Sequence, residues 1–347
     1  MTGTKAVSSE KRVTYADAAR VVAAAFVVLL HASGQFLTRI MPGEKGFLWC
    51  LFYDCLARWT VPVFIMLSGM LFLNKRKTLD IKKLWRKNIL RIVTAFIFWS
   101  YIYNVYKLFL ETRSFSAFFK AVPRIPDGAM HLWFLYVIAG LYIVLPFLKK
   151  MTENMTKRET EYFLLINLIV TFLPKSLRCF EVLAPIADQI DKFEIGTAAG
   201  YVGLFVAGWY IENFEHEKLF APLSLAFGGI GFLYMFVMSA LASFNAGVLI
   251  DKFMSFKSIS SYMMAFAAFV LFKNVPFRRG VGKKTGALTF GVYLIHQLVL
   301  NLSSVLGLSF LRSMPYFGVP LLAVLAFVVS IAITWAISKL PFGKYIV

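Results

Sequence analysis

Acidic residues are scarce in this chain: 18 Asp and Glu stand against 37 Lys and Arg, a formal charge of +19. In a soluble protein that excess would point to nucleic acid. No basic stripe is interleaved with aromatics in the manner of a binding groove, so no nucleic-acid partner is expected. Cysteine is nearly absent. Cys50, Cys55 and Cys179 provide neither a disulfide framework nor a zinc pattern, and no metal site is expected. Walker and dinucleotide glycine patterns are missing. No polar stretch is long enough for a separate soluble domain, no Gly/Ser/Pro linker divides the chain, and no internal repeat is visible.

What is abundant is apolar surface. Hydrophobic residues fill 59% of the 347 positions, aromatics 17% and charged residues only 16%, with a mean hydropathy of +0.70. This composition defines an integral membrane protein. Lys11 and Arg12 precede an apolar core as in a signal peptide, but the apolar run continues past a histidine with no small-x-small cleavage site, so it reads as an uncleaved first span. Runs near 20 apolar residues predict about ten transmembrane helices, at 16–37, 47–73, 90–111, 131–148, 161–174, 196–212, 221–243, 258–273, 288–307 and 317–338. The expectation is an all-α polytopic membrane bundle, one transmembrane domain over 1–347 with 1–15 as a cytoplasmic N-terminal segment. The segment NKRKTLDIKKLWRKNILR (74–91) is the densest in basic residues and should be a cytoplasmic loop. Alternation then puts KKMTENMTKRE, NFEHEKLF, KNVPFRRGVGKKTGA and both termini on the same side. These inner segments carry about twice as many Lys and Arg as the outer ones.

Arg20 and His31 stand eleven apart in the first span. Eleven helical steps return to nearly the same azimuth, at a separation of roughly 16 Å. The two side chains cannot touch, but they can mark two ends of one cavity. An ionisable group at membrane depth reads by default as functional.

The run ADAARVVAAAFVVLLH, with Asp17, Arg20 and His31, resembles the first-helix signature of the acyltransferase 3 family, an arginine, ten intervening residues and a histidine. VPVFIMLSGMLF, RKNILRIVTAFIFWS, HLWFLYVIAGLYIVLPFL, YVGLFVAGWYI and LTFGVYLIHQLVL are similar to family segments in the family order. The resemblance implies a short family member without an SGNH domain, resident in the cell (cytoplasmic) membrane. It also implies an acyltransferase that moves an acetyl group, in some members succinyl, from cytoplasmic acetyl-CoA to a hydroxyl of an extracytoplasmic polysaccharide or lipid-linked glycan. The family carries an arginine pair at the start of its third helix. Here Asn88 stands at the first position, Arg91 matches the second, and Arg86 and Lys87 are the nearby substitutes for gripping donor phosphates.

Transfer from a thioester to a hydroxyl needs a base, and His31 is the candidate; otherwise it is a structural histidine bonded across the bundle. Arg20, with Asp17 one turn earlier, belongs either to the donor site or to the interface as a snorkelling cation. Asp54 and Arg58 lie four apart, and Arg58 falls roughly 22 Å deep, level with His31. It would stabilise an oxyanion, orient the acceptor, or only pair with Asp54. Arg86, Lys87 and Arg91 bind donor phosphates or anionic lipid. His131, Trp133 and Tyr136 form an acceptor-stacking cluster or an ordinary aromatic belt. Tyr293 and His296 share a helix face and line the acceptor path. Ser68, Gly69, Gly200, Gly203 and Gly208 read as helix-packing positions, and His216 as a solvated loop residue. The runner-up function is a transporter or flippase of a glycan or lipid-linked sugar, although paired Gly/Pro helix breaks are not apparent.

Overall fold

Lipid offers no partner to backbone N–H and C=O groups, so an apolar run long enough to cross a bilayer folds as a helix. Every regular element among the described residues of the computed structural model is accordingly helical. Those residues are 14–75, 77–193, 195, 200–277, 282–308, 311 and 314–347. The expected N-terminal segment lies outside them up to residue 13, as do Arg76, part of the 196–212 span and the Arg278–Val281 portion of the basic loop at 273–287.

The longer helices are α1 (Thr14–Leu37), α2 (Phe47–Leu56), α3 (Thr60–Phe72), α4 (Leu90–Thr112), α5 (Trp133–Asn154), α6 (Lys157–Asn167), α7 (Val202–Asn213), α8 (Phe220–Ala246), α9 (Ile259–Asn274), α10 (Thr289–Val305) and α11 (Pro315–Ser338). Seven stretches among the described residues are long and apolar enough to cross a membrane. The other three expected spans are the shorter helices α7, α9 and α10, of 12, 16 and 17 residues. The sequence of α7 is apolar because it is enclosed by protein: Gly203 to Ile211 are all buried. Its hydropathy reports a core position, which demands no bilayer length.

Local chemistry corrects three boundaries. The basic segment is half helical: the Asp80 carboxylate accepts from Lys83 N at 3.1 Å, starting a helix at Ile81 that passes through a π-helical turn, Leu84–Ile89, into α4. The third apolar stretch thus runs Ile81–Thr112. The fifth, expected to be short, is a 21-residue stretch, Lys157–Leu177, opened by a Thr156/Glu159 capping box. The second is interrupted. Pro62 has no N–H to bond the carbonyl four residues earlier and its ring crowds that carbonyl, and the chain turns at 57–59 between α2 and α3 with Arg58 in the break.

Helix α1 is the hub, packing against α2, α3, α9, α10 and α11. Helices α3 and α7 approach so closely that a Cβ on Gly69 would lie 1.7 Å from the Phe205 carbonyl oxygen, and one on Gly208 1.9 Å from that of Met66. Gly203 packs in the same way against the Asn167 side chain. Gly200 and Ser68 do not share that packing role. Gly200 adopts φ +69° with nothing near its Cβ position, and Ser68 lines a cavity. His216 is half-buried, stacked on Phe220 at 4.1 Å between ring centres, which corrects its reading as a solvated residue.

Candidate functional site

Three of the four histidines meet inside the bundle. His31 from α1 lies 5.0 Å from His296 of α10 and 6.1 Å from His131, ring centre to ring centre, and His131 lies 5.3 Å from His296. His131 sits in the 3-10 turn Met130–Leu132 that leads into α5. Two tyrosines clamp the group. The Tyr293 hydroxyl donates to the His131 carbonyl oxygen at 2.6 Å. The Tyr103 hydroxyl donates to the Leu294 carbonyl at 2.8 Å and accepts from Leu298 N at 3.1 Å. An uninterrupted helix would bond those two backbone groups to each other, so Tyr103 inserts into the α10 ladder beside His296.

The three rings are held differently. His296 engages the Val292 carbonyl through Nδ1 at 3.1 Å, and the Nε2 atoms of His296 and His131 are buried without a hydrogen-bond partner. A buried unpaired nitrogen costs about 1–3 kcal/mol, which a ligand can recover. His31 is the half-buried member of the three.

Two cavities converge on this cluster. The first, about 390 Å³, is lined at one end by Arg20, Lys87, Asn88, Arg91 and Thr289 and at the other by His31, His131, Trp133, Phe256 and Tyr293. The second, about 500 Å³, enters from the opposite end of the bundle and is lined by His31, His131, Tyr103, Asn104, Lys107, Glu111, Gln297 and Asn301. His31 and His131 are the residues common to both linings.

At the cationic end the π-helical turn brings Lys87, Asn88 and Arg91 to one wall. Arg91 lies 4.8 Å over the Phe290 ring and donates from Nη2 to the Val347 carbonyl at 2.6 Å, while its Nε is buried without a hydrogen-bond partner. Asp17 is 3.4 Å from Arg20 and itself lines neither cavity. Behind it, Gly282 in a left-handed conformation (φ +75°) lets the turn before α10 close on the Asp17 carbonyl, 3.0 Å from a Cβ built there. That turn supplies Gly286 and Ala287 to the wall.

Other expected site residues stand apart. Arg58 is bonded to Asp54, Nε to Oδ1 at 2.7 Å, and lies 5.1 Å over the Phe256 ring; it interacts electrostatically with His31 without lining either cavity. Arg86 is exposed and lines neither. Tyr136 is 58% exposed, packed on Phe96 at 4.8 Å with its hydroxyl donating to the Pro126 carbonyl, also outside both. Trp133 and Tyr293, expected on the acceptor path, line the first cavity, and His296 lines neither, whereas Tyr103, Asn104, Lys107, Glu111, Gln297 and Asn301, which sequence reasoning missed, line the second. A signal existed: Tyr103, Asn104, Lys107 and Glu111 recur at helical spacing along an otherwise apolar helix. Among the described residues no group of three or more His, Cys, Asp or Glu is placed to hold a metal ion.

A helical membrane bundle with ionisable groups buried on an internal path is the class these features define. The chain matches the acyltransferase domain family model over residues 13–339 and belongs to the acyltransferase 3 family. No curated protein and no solved structure matches it. The protein is therefore a membrane acyltransferase.

Proposed function

We propose that the protein transfers an acetyl group from cytoplasmic acetyl-CoA to a hydroxyl of an extracytoplasmic polysaccharide or lipid-linked glycan, in the cell membrane with both termini cytoplasmic. The observation that carries this reading is the first cavity, cationic at one end and bounded by His31 at the other. Its two ends match the two ends of the donor: arginine and lysine suit the coenzyme phosphates, and the roughly 16 Å between Arg20 and His31 along α1 suits an extended pantetheine arm. The buried, unpartnered Nε of Arg91 is the kind of donor a phosphate oxygen would satisfy. Lys87 supplies a second cation beside Asn88, where the family arginine is missing.

The acceptor enters through the second cavity, whose amide, hydroxyl and charged side chains suit a hydroxyl-rich sugar. His31 takes the proton of the attacking hydroxyl, the new C–O bond forms as the C–S bond breaks, and the proton passes from His31 to the departing thiolate. His131 and His296 confine the imidazole of His31, and Tyr103 and Tyr293 hold those two in place.

One observation favours the second reading, a glycan carrier: the helix break at Arg58, since carriers use interrupted helices at their binding sites. Purified protein in liposomes, given radiolabelled acetyl-CoA on one side and glycan on the other, separates the two. Labelled glycan supports transfer; movement of glycan without label would replace it with transport.

A further inference from the structure

Around His31 the wall of the first cavity changes character. Beside His31, His131 and Tyr293, that end is walled by Val27, Leu30, Val61, Phe64, Trp133 and Phe256, none of them charged. The lining cations Arg20, Lys87 and Arg91 belong to the other end. One more cation, Arg58, approaches, but Asp54 engages it and the Phe256 ring stands over its guanidinium at 5.1 Å. Phe256 also packs against Trp133 at 5.9 Å between ring centres, which closes the cavity on that side. Phe256 comes from the segment joining α8 to α9 and is half-buried.

We propose that this end is a selective acyl pocket: it takes a short uncharged acyl group, rejects one that ends in a carboxylate, and uses Phe256 to limit chain length. The proposal rests on the donor reading above and narrows it to a class of acyl group. An acyl chain whose thioester carbon sits beside His31 projects among Val27, Leu30, Val61 and Phe256. A terminal carboxylate projecting among those side chains would lose its water and gain no free cation, because Arg58 is committed to Asp54 and screened by the Phe256 ring. A methyl or ethyl group meets only apolar walls. A longer chain would run into Phe256.

The test uses the full chain in lipid nanodiscs, with binding and transfer measured for free coenzyme A and for acetyl-, propionyl-, hexanoyl- and succinyl-CoA. Acetyl- and propionyl-CoA should bind at least as tightly as free coenzyme A. Succinyl-CoA should bind at least about tenfold more weakly and be transferred at least about 100-fold less efficiently than acetyl-CoA. Phe256→Ala should raise the hexanoyl-to-acetyl ratio, and because it uncovers Arg58 it should raise the succinyl-to-acetyl ratio as well. Val61→Phe should lower the propionyl-to-acetyl ratio, a readout that survives if Phe256→Ala fails to fold. Equal use of succinyl- and acetyl-CoA, or ratios unmoved in both variants, would overturn the pocket while leaving the donor reading intact. No binding of free coenzyme A would overturn both.

Discussion

His31 and His296 face each other at 5.0 Å between ring centres, joining the first long helix to α10 across about three quarters of the chain. The contact puts the half-buried ring against a fully buried one whose Nδ1 is tied to its own helix. On the proposed mechanism one imidazole is positioned and the other exchanges the proton. His31→Gln should reduce acetyl transfer by at least about 100-fold, the usual worth of a general base, with acetyl-CoA affinity unchanged. Transfer assays paired with titration calorimetry check this, and retained activity would remove His31 from the chemistry.

Donor affinity should depend on the cationic end. Charge-assisted hydrogen bonds contribute about 1.5–3 kcal/mol, so Arg20→Ala and Lys87→Ala should each weaken acetyl-CoA binding by about tenfold or more. Arg86→Ala, at an exposed residue that lines neither cavity, should leave the affinity as it was. An equal effect at Arg86 would mean that the whole basic segment attracts the donor without a defined site.

Gln297 and Asn301 lie one helical turn apart on α10, with Gln297 Nε2 donating to Asn301 Oδ1 at 3.0 Å. Both face the second cavity. Asn301→Leu should raise the KM for the glycan acceptor several-fold while acetyl-CoA affinity holds. A change in donor affinity instead would show that the two cavities do not divide the substrates.

Arg58 and Asp54 form a pair with side chains only 17% and 5% exposed. Removing one partner strands a buried charge, a loss of about 3–5 kcal/mol. Arg58→Ala should therefore lower the thermal unfolding midpoint in detergent sharply. The double variant Arg58→Leu with Asp54→Leu should recover much of the loss. If the single variant is as stable as the wild type, water reaches the pair.

Gly208→Ala would place a methyl 1.9 Å from the Met66 carbonyl oxygen, on backbone that cannot swing aside. The prediction is loss of monodisperse protein by size-exclusion chromatography. Gly140→Ala, where a Cβ meets nothing within 4 Å, should behave as wild type.

The first cavity was legible as far as one helix could announce it. Arg20 and His31 lie on a shared face because helical geometry is local, and their distance follows from a count of steps. The meeting of His31 with His131 and His296 was not legible. Periodicity says which face a residue occupies and nothing about which helix arrives there. The short α7 shows the converse limit, since an apolar run reads alike whether lipid or protein surrounds it. Hydropathy also hid the polar stripe of α4, because Tyr103, Asn104, Lys107 and Glu111 are diluted among aromatic and aliphatic neighbours. The break at Arg58 had its cause in plain view at Pro62, four residues on, but a single proline inside an apolar run does not say whether the helix kinks or stops.

The two linings share His31 and His131, so a partition about one side chain thick separates cavities that enter from opposite ends of the bundle. A membrane that stores energy as an ion gradient tolerates no continuous file of water through such a wall. Under the proposed transfer the same rings would be insulator and handover point at once: thin enough for an acyl group to cross, dry enough that protons do not hop after it. Tyr103, Tyr293 and His296 crowd His131 on that partition and narrow the room for such a file.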